Sequence, residues 1–254
     1  MKLFLFFIFI TTVLFGSTPS NNQHVKNINQ KNLIQDDFDD EFDDEFIDET
    51  DETTIYDPLI KYNRAMTQFN DFVFIYILNP TAKGYSYVVP KALRKGISNA
   101  FHNIAFPIRF VNNVLQLKFQ NAGEETSRFL INSTFGVFGL FDAAYYTFKL
   151  DEHNEDFGQT LGFYGVKSGP HIVLPFLGPS NLRDAFSLVP DNMLTLVYNS
   201  NLTYEESLYL NTFYYVNKTS LHLGEYESIK KDAIDFYPFI RDLYEQKRIK
   251  EIEE

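Results

Sequence analysis

Acid–base or nucleophilic chemistry in this chain would have to start from five histidines, His24, His102, His153, His171 and His222, because the sequence contains no cysteine. Disulfides, thiolate metal sites and a cysteine nucleophile are thereby excluded together. No histidine lies within helical reach of another, so the spacing of a zinc site is missing. A GxSxG nucleophile elbow, a GxxxxGKS/T phosphate loop and a GxGxxG dinucleotide turn are missing as well. His171 could act as a base toward Ser168 or Ser180, yet a histidine in an apolar stretch is more often a packed ring with its nitrogen satisfied. Glu155 and Asp156 make a carboxylate pair, but adjacent residues seldom face one substrate, and capping of a following helix accounts for them better. These residues point to no enzyme, no metal and no cofactor.

The charge balance is similarly negative for nucleic acid. The formal net charge is −12, and the tract from Asp36 to Glu52, with twelve acidic residues and no base, accounts for all of it. The rest of the chain is near neutral and carries no basic stripe for a phosphate backbone.

The elements that would hold any site are helical. The stretch Asp156–Asp184, DFGQTLGFYGVKSGPHIVLPFLGPSNLRD, is punctuated by glycine and proline and cannot be one regular helix or one long strand, yet it stays apolar. It reads as a series of turns pinned against an apolar surface, and the rest of the chain is organised around it. Pro58 sits just inside a helix start, and Leu59, Tyr62, Met66, Phe69, Val73 and Tyr76 follow a three-and-four rhythm up to an expected stop at Asn79–Pro80. Further helices are expected over about 90–102, 107–119 and 122–133. Residues 134–148 are nearly all apolar and contain Gly136 and Gly139, which suits a re-entrant helical hairpin or a buried core helix. Residues 182–198 are weakly helical with Pro190 breaking them, 199–222 are ambiguous, and a last helix runs over about 232–252. Period-two alternation is nowhere sustained, so the chain is mainly α with no extended sheet. The 27 Phe and 16 Tyr supply large apolar area.

At the N-terminus, Lys2 precedes an apolar run from Leu3 to Phe15 and then small polar residues, as in a secretory signal peptide over 1–20. Residues 21–55 form an acidic arm expected to be disordered. Phe38, Phe42 and Phe46 stand four apart in it, a spacing that could make a docking peptide, although a solvated, self-repelling linker is the simpler reading. The helical domain spans 56–248 and a charged tail 249–254.

Several blocks together resemble the VacJ/MlaA family of outer-membrane phospholipid-trafficking proteins. They are YDPLIKYNRAMTQFND (56–71), NPTAKGYSYVVPKALRKGISN (79–99), PIRFVNNVLQLKFQNAG (107–123), RFLINSTFGVFGLFDAA (128–144), then EDFGQTLG, YGVKSGP, VLPFLGPS and LRD, and finally DFYPFIRDLYEQKR (235–248). The resemblance implies amphipathic helices in a ring-like bundle lying in the periplasmic leaflet of the outer membrane, around a polar path for mislocalised outer-leaflet phospholipid. It implies three partners: phospholipid, a trimeric porin and a periplasmic lipid carrier. An alternative is a structural adaptor tethering a porin to periplasmic machinery. Ser17 stands where the family places its acylated cysteine, and serine cannot form the thioether, so membrane association without acylation is expected. On this resemblance Asn63, Gln68, Asn70, Asn112, Asn113 and Gln116 are candidates for the lining of the lipid path. The glycine-spaced segment Phe135, Gly136, Val137, Phe138, Gly139, Leu140 and Phe141 is the candidate gate.

Overall fold

Pro80 does not end the first helix. In the computed structural model, which describes residues 57–254 apart from 196, 199 and 201, helix α1 (Ile60–Val73) passes through one π-helical turn (Phe74–Leu78) into α2 (Asn79–Val88). The Asn79 amide donates to Phe74 O, five residues back, and Pro80 becomes the first-turn residue of a new α-helical register, where its missing N–H costs least. The expected stop was wrong for that reason. The signal segment 1–20 with Ser17, and the acidic arm with Phe38, Phe42 and Phe46, lie outside the described residues.

Helices α3 (Lys91–Ile104), α4 (Phe106–Leu115) and α5 (Phe119–Thr134) fall where the periodicity puts them. Leu117, at φ 61°, turns the chain between α4 and α5, so α4 stops short of the expected residue 119. A short helix α6 (Ala143–Phe148) is capped by Asp142, whose carboxylate accepts from Tyr145 N. Helix α7 (Phe157–Phe163) is capped by Asp156 accepting from Gln159 N at 2.8 Å. After α7 come strands β1 (His171–Leu174) and β2 (Gly178–Asn181), which pair antiparallel from His171 opposite Asn181 to Leu174 opposite Gly178. This hairpin is the only sheet among the described residues, and period-two reading missed it because each strand is four residues long.

Helix α8 (Leu182–Leu194) runs through Pro190 and was not broken there. The ambiguous region is helix α9 (Tyr204–Leu221), opened by a full capping box between Thr203 and Glu206. The single C-terminal helix of the sequence reading is two, α10 (Glu225–Asp232) and α11 (Phe236–Glu253), with Asp235 capping the second. The charged tail is thus the end of α11. Helix α4 packs on α5, α9 on α2 and α3, and α7 on both α8 and α11, while the hairpin lies against α1.

The core inverts the usual distribution of polarity. Among the described residues the buried apolar side chains are Ala82, Ala122, Ala144, Val173, Leu177 and Tyr237, and three of those are alanines. Asparagines, arginines and carboxylates fill the interior around them, and many of the large rings point outward: Tyr87 is 91% exposed, Phe138 82% and Phe135 78%.

Candidate functional site

Three clusters of the polar interior each join several elements. The first joins α4, α7 and α8. Asn112 donates to Asp191 Oδ1 at 3.0 Å and accepts from Thr160 Oγ1 at 2.9 Å. One turn on, Gln116 donates to Glu155 Oε2 at 2.7 Å, and Lys118 Nζ reaches Glu155 Oε1 at 2.7 Å. The i, i+4 spacing of Asn112 and Gln116, the residue that caps the end of α4, puts both on one side of the helix, and that side is the buried one.

The second joins α7, the hairpin, α8 and α11. Arg248 grips Asp156 with both terminal nitrogens, at 2.7 and 2.8 Å, and donates through Nε to Asp184 Oδ2 at 2.9 Å. Asp184 also accepts from Arg183 Nε at 2.8 Å and from the Tyr244 hydroxyl at 2.7 Å. Beside it His171 is buried between Tyr237 and Tyr244, its Nδ1 3.0 Å from Glu245 Oε1. Its Nε2 has no partner among the described residues, so within them only one nitrogen of this ring is satisfied, against the sequence expectation.

The third joins α4, α5 and the start of α6. Glu125, wholly buried, accepts from Arg109 Nε at 2.6 Å and from His153 N at 2.8 Å. Arg128 pairs with Asp142 at 3.0 Å and also donates to Leu150 O, while Asn132 donates to Asp142 Oδ1 at 2.9 Å.

Of the residues singled out in the sequence, Asn63 and Asn70 form a ladder on α1 that clamps the hairpin backbone. Asn63 accepts from Val173 N at 2.8 Å and donates to His171 O at 3.1 Å; Asn70 accepts from Phe176 N at 2.6 Å and donates to Leu174 O at 2.9 Å. Asn113 donates to Arg109 O at 2.9 Å and His153 O at 3.2 Å, and its buried Oδ1 lacks a partner among the described residues. Gln68 is exposed on α1. Arg109, Glu125, Arg128, Asp184, Asp191 and Arg248 were missed. Arg109 alone carried a signal, a charge inside the largely apolar helical run FPIRFVNNVL.

The segment 135–141 is neither a helical hairpin nor a core helix but a tight turn, with Val137 and Phe138 both left-handed (φ 52° and 57°) and Gly139 at φ 87°. Phe138 N and Gly139 N return to Ser133 O and Asn132 O, at 3.1 and 2.8 Å, and Asn99 donates to Leu140 O at 3.3 Å. The rings of Phe135, Phe138 and Phe141 are left facing outward.

Asp191 has the most displaced carboxyl of the interior. Burial first, then the Asp156 carboxylate, push it up to about 7 against the pull of Phe157 N and Asn112. The folded chain therefore holds a proton that the unfolded chain, titrating near 4, gives up. Stability is withdrawn by this group as pH rises from about 4 to about 7, and no further above that. Asp191→Asn copies the shape of the protonated acid. Its stability relative to the parent should climb by about 2–4 kcal/mol across that interval and then level off. Denaturant midpoints of both proteins from pH 4 to 8 test this, and a difference independent of pH rules it out.

A family model described as MlaA lipoprotein matches residues 55–251. The chain is 32% identical over 201 residues to the intermembrane phospholipid transport system lipoprotein MlaA of Escherichia coli (strain K12), covering 78% of this chain and 79% of that protein. To the Haemophilus influenzae protein of the same name it is 36% identical over 137 residues, 53% of this chain and 55% of the relative. An uncharacterized protein of Rickettsia bellii is 32% identical over 196 residues, 76% of either chain. Among solved structures, a chain from work on the structural basis for maintenance of bacterial outer membrane lipid asymmetry superposes with a TM-score of 0.67 at 29% identity, covering 77% of this chain and 98% of that one.

Proposed function

The chain belongs to the MlaA lipoprotein family, and on that premise we propose that it is the outer-membrane component of an intermembrane phospholipid transport system, removing mislocalised phospholipid from the outer leaflet and passing it to a periplasmic lipid carrier. The observation that carries this reading is the inverted polarity. Burying a Phe side chain is worth about 1.5–3 kcal/mol, and a chain folding in water alone would not leave Phe135, Phe138, Phe141 and Tyr87 outside while enclosing arginines. An apolar surround such as acyl chains explains both halves of the distribution at once. Among the described residues no helix is long and apolar enough to cross a membrane. In this reading the helices lie along one leaflet, as a ring-like bundle in company with a trimeric porin.

In this reading the head group follows the polar seam, exchanging hydrogen bonds with Asn63, Asn70, Asn112, Asn113 and Gln116. The turn 135–141 is the movable gate. Cells lacking the protein should expose more phospholipid to a membrane-impermeant amine reagent, and the full chain should reverse this; no rise on deletion discards the reading. The gate has its own test. A β-carbon at Gly96 would lie 3.2 Å from Leu140 O and 3.7 Å from Leu140 Cδ2, so Gly96→Cys with Leu140→Cys brings two thiols to one contact in a chain without other cysteines. Oxidation should stop lipid removal and reduction restore it, whereas equal transport in both states dismisses the gate. An adaptor between porin and carrier would lose a partner, and no lipid movement of its own, when altered.

A further inference from the structure

The loop after α7 and the last turns of α11 enclose a cleft of about 310 Å³. Lys167, Ser168 and Arg183 form one side, and Glu245, Arg248, Ile249 and Ile252 the other. Gly162 permits the approach, since a β-carbon there would stand 2.6 Å from Ile252 Cδ1 and 3.0 Å from Arg183 Nη1. Arg183 is buried and held in one orientation: Nε donates to Asp184 at 2.8 Å and Nη1 to Val166 O at 3.3 Å. Its Nη2 edge is left without an acceptor among the described residues. Lys167 is exposed and pairs with no described residue, and the Ser168 hydroxyl makes no bond within them, although Ser168 O accepts from Arg183 N at 3.1 Å.

The carboxylates nearby are already engaged. Asp156 and Asp184 are matched by Arg248 and Arg183, and the two oxygens of Glu245 are turned to His171 Nδ1 and Asn181 Nδ2, at 3.0 and 3.3 Å. The first amides of α8 are spent too: Leu182 N donates to Pro170 O, Arg183 N to Ser168 O and Asp184 N to the Asn181 side chain. What remains to face the cleft is three side-chain donors, one a fixed guanidinium edge, beside an isoleucine wall.

We infer that this cleft binds a phosphate group, with Arg183 Nη2, Lys167 Nζ and Ser168 Oγ donating to its non-bridging oxygens and Ile249 and Ile252 packing on the carbon that bears it. A lipid head group and a small phosphate ester share this chemistry. The inference stands apart from the transport reading, because a soluble ester satisfies it equally.

The test titrates the full chain, in an uncharged detergent, with inorganic phosphate, glycerol 3-phosphate and dihexanoylphosphatidylglycerol below its micelle concentration, following phosphorus NMR. Lys167→Ala should weaken binding about tenfold, the loss of one charge-assisted bond, with an unchanged unfolding midpoint because the exposed Lys167 side chain makes no hydrogen bond or ion pair among the described residues. Arg183→Lys keeps the charge but loses the fork and should weaken it as much. Saturation by the lipid alone identifies a head-group site, and saturation by glycerol 3-phosphate as well identifies a general phosphate site; both support the inference. It is overturned if no probe binds by concentrations on the order of 10 mM, or if Lys167→Ala leaves the affinity unchanged.

Discussion

Arg248→Met should cost about 3–5 kcal/mol of unfolding free energy, because it removes one partner of a buried ion cluster and leaves the others behind. The guanidinium serves Asp156 by two bonds, Asp184 by Nε, and Glu251 at 3.0 Å, so no single neighbour can replace it. Burial pushes the Asp184 carboxyl up, but the Arg248 and Arg183 charges more than offset this and hold it below its ordinary value. A depressed carboxyl contributes stability that is present above its unfolded value near 4 and lost as pH falls through the folded one. The gap between parent and variant should therefore be widest near neutrality and narrow under acid. The ion pair of Arg64 with Asp235 is the contrast: both side chains are more than two-fifths exposed, and Arg64→Met should be hard to distinguish from the parent. Equal denaturant midpoints for Arg248→Met and the parent at pH 7 would remove the buried cluster from the account of stability.

The helices were legible where one face alternates with the other at the helical period. Helices α1, α3 and α4 have such faces, and their positions follow from Leu59, Tyr62, Met66 and Phe69, or from Phe110, Val111, Val114 and Leu115. The family blocks, which run from α1 to α11, were legible as well. Proline was the misleading signal. At Pro80 a π-helical turn shifts the hydrogen-bond register, and at Pro190 the helix tolerates the missing amide, so tertiary packing overrode a local rule in both cases. Helix α9 has tyrosine and phenylalanine around much of its circumference and offers no clean stripe, although Thr203 and Glu206 already spell its capping box.

The interior was the harder part. A hydropathy pattern assigns Arg109, Glu125, Asp184 and Arg248 to the surface because water is the assumed surround. With an apolar surround the same pattern reads in reverse, and of the polar seam only the amides named on the family resemblance, Asn63, Asn70, Asn112, Asn113 and Gln116, were in view as a lining from the sequence. The partners that complete it lie 37 to 79 residues away in sequence, as Lys118 with Glu155 and Asn112 with Asp191 do, and no local window contains them.

Gly136→Ala should unfasten the 135–141 turn. A β-carbon at this position would stand 2.5 Å from Asn132 O and 2.9 Å from Asn132 Cα, and closer still to Phe141 O, and all three are backbone atoms that cannot rotate away. Either α5 loses its last turn or the chain between Phe135 and Phe141 moves outward, at an expected cost of about 3 kcal/mol. The amides of Phe138, Gly139 and Phe141, which return to Ser133 O, Asn132 O and Gly136 O at 3.1, 2.8 and 2.9 Å, should then lose protection from hydrogen exchange. Gly84→Ala in α2 and Gly123→Ala in α5 should act in the opposite direction. A β-carbon at either meets nothing within 4 Å, and removing glycine from a helix interior gains about 0.5–1 kcal/mol. If all three substitutions shift stability alike, the close backbone approach at Gly136 is not what fixes the turn, and the outward rings of Phe135 and Phe138 must be held by something other than the crossing of Asn132 and Phe141.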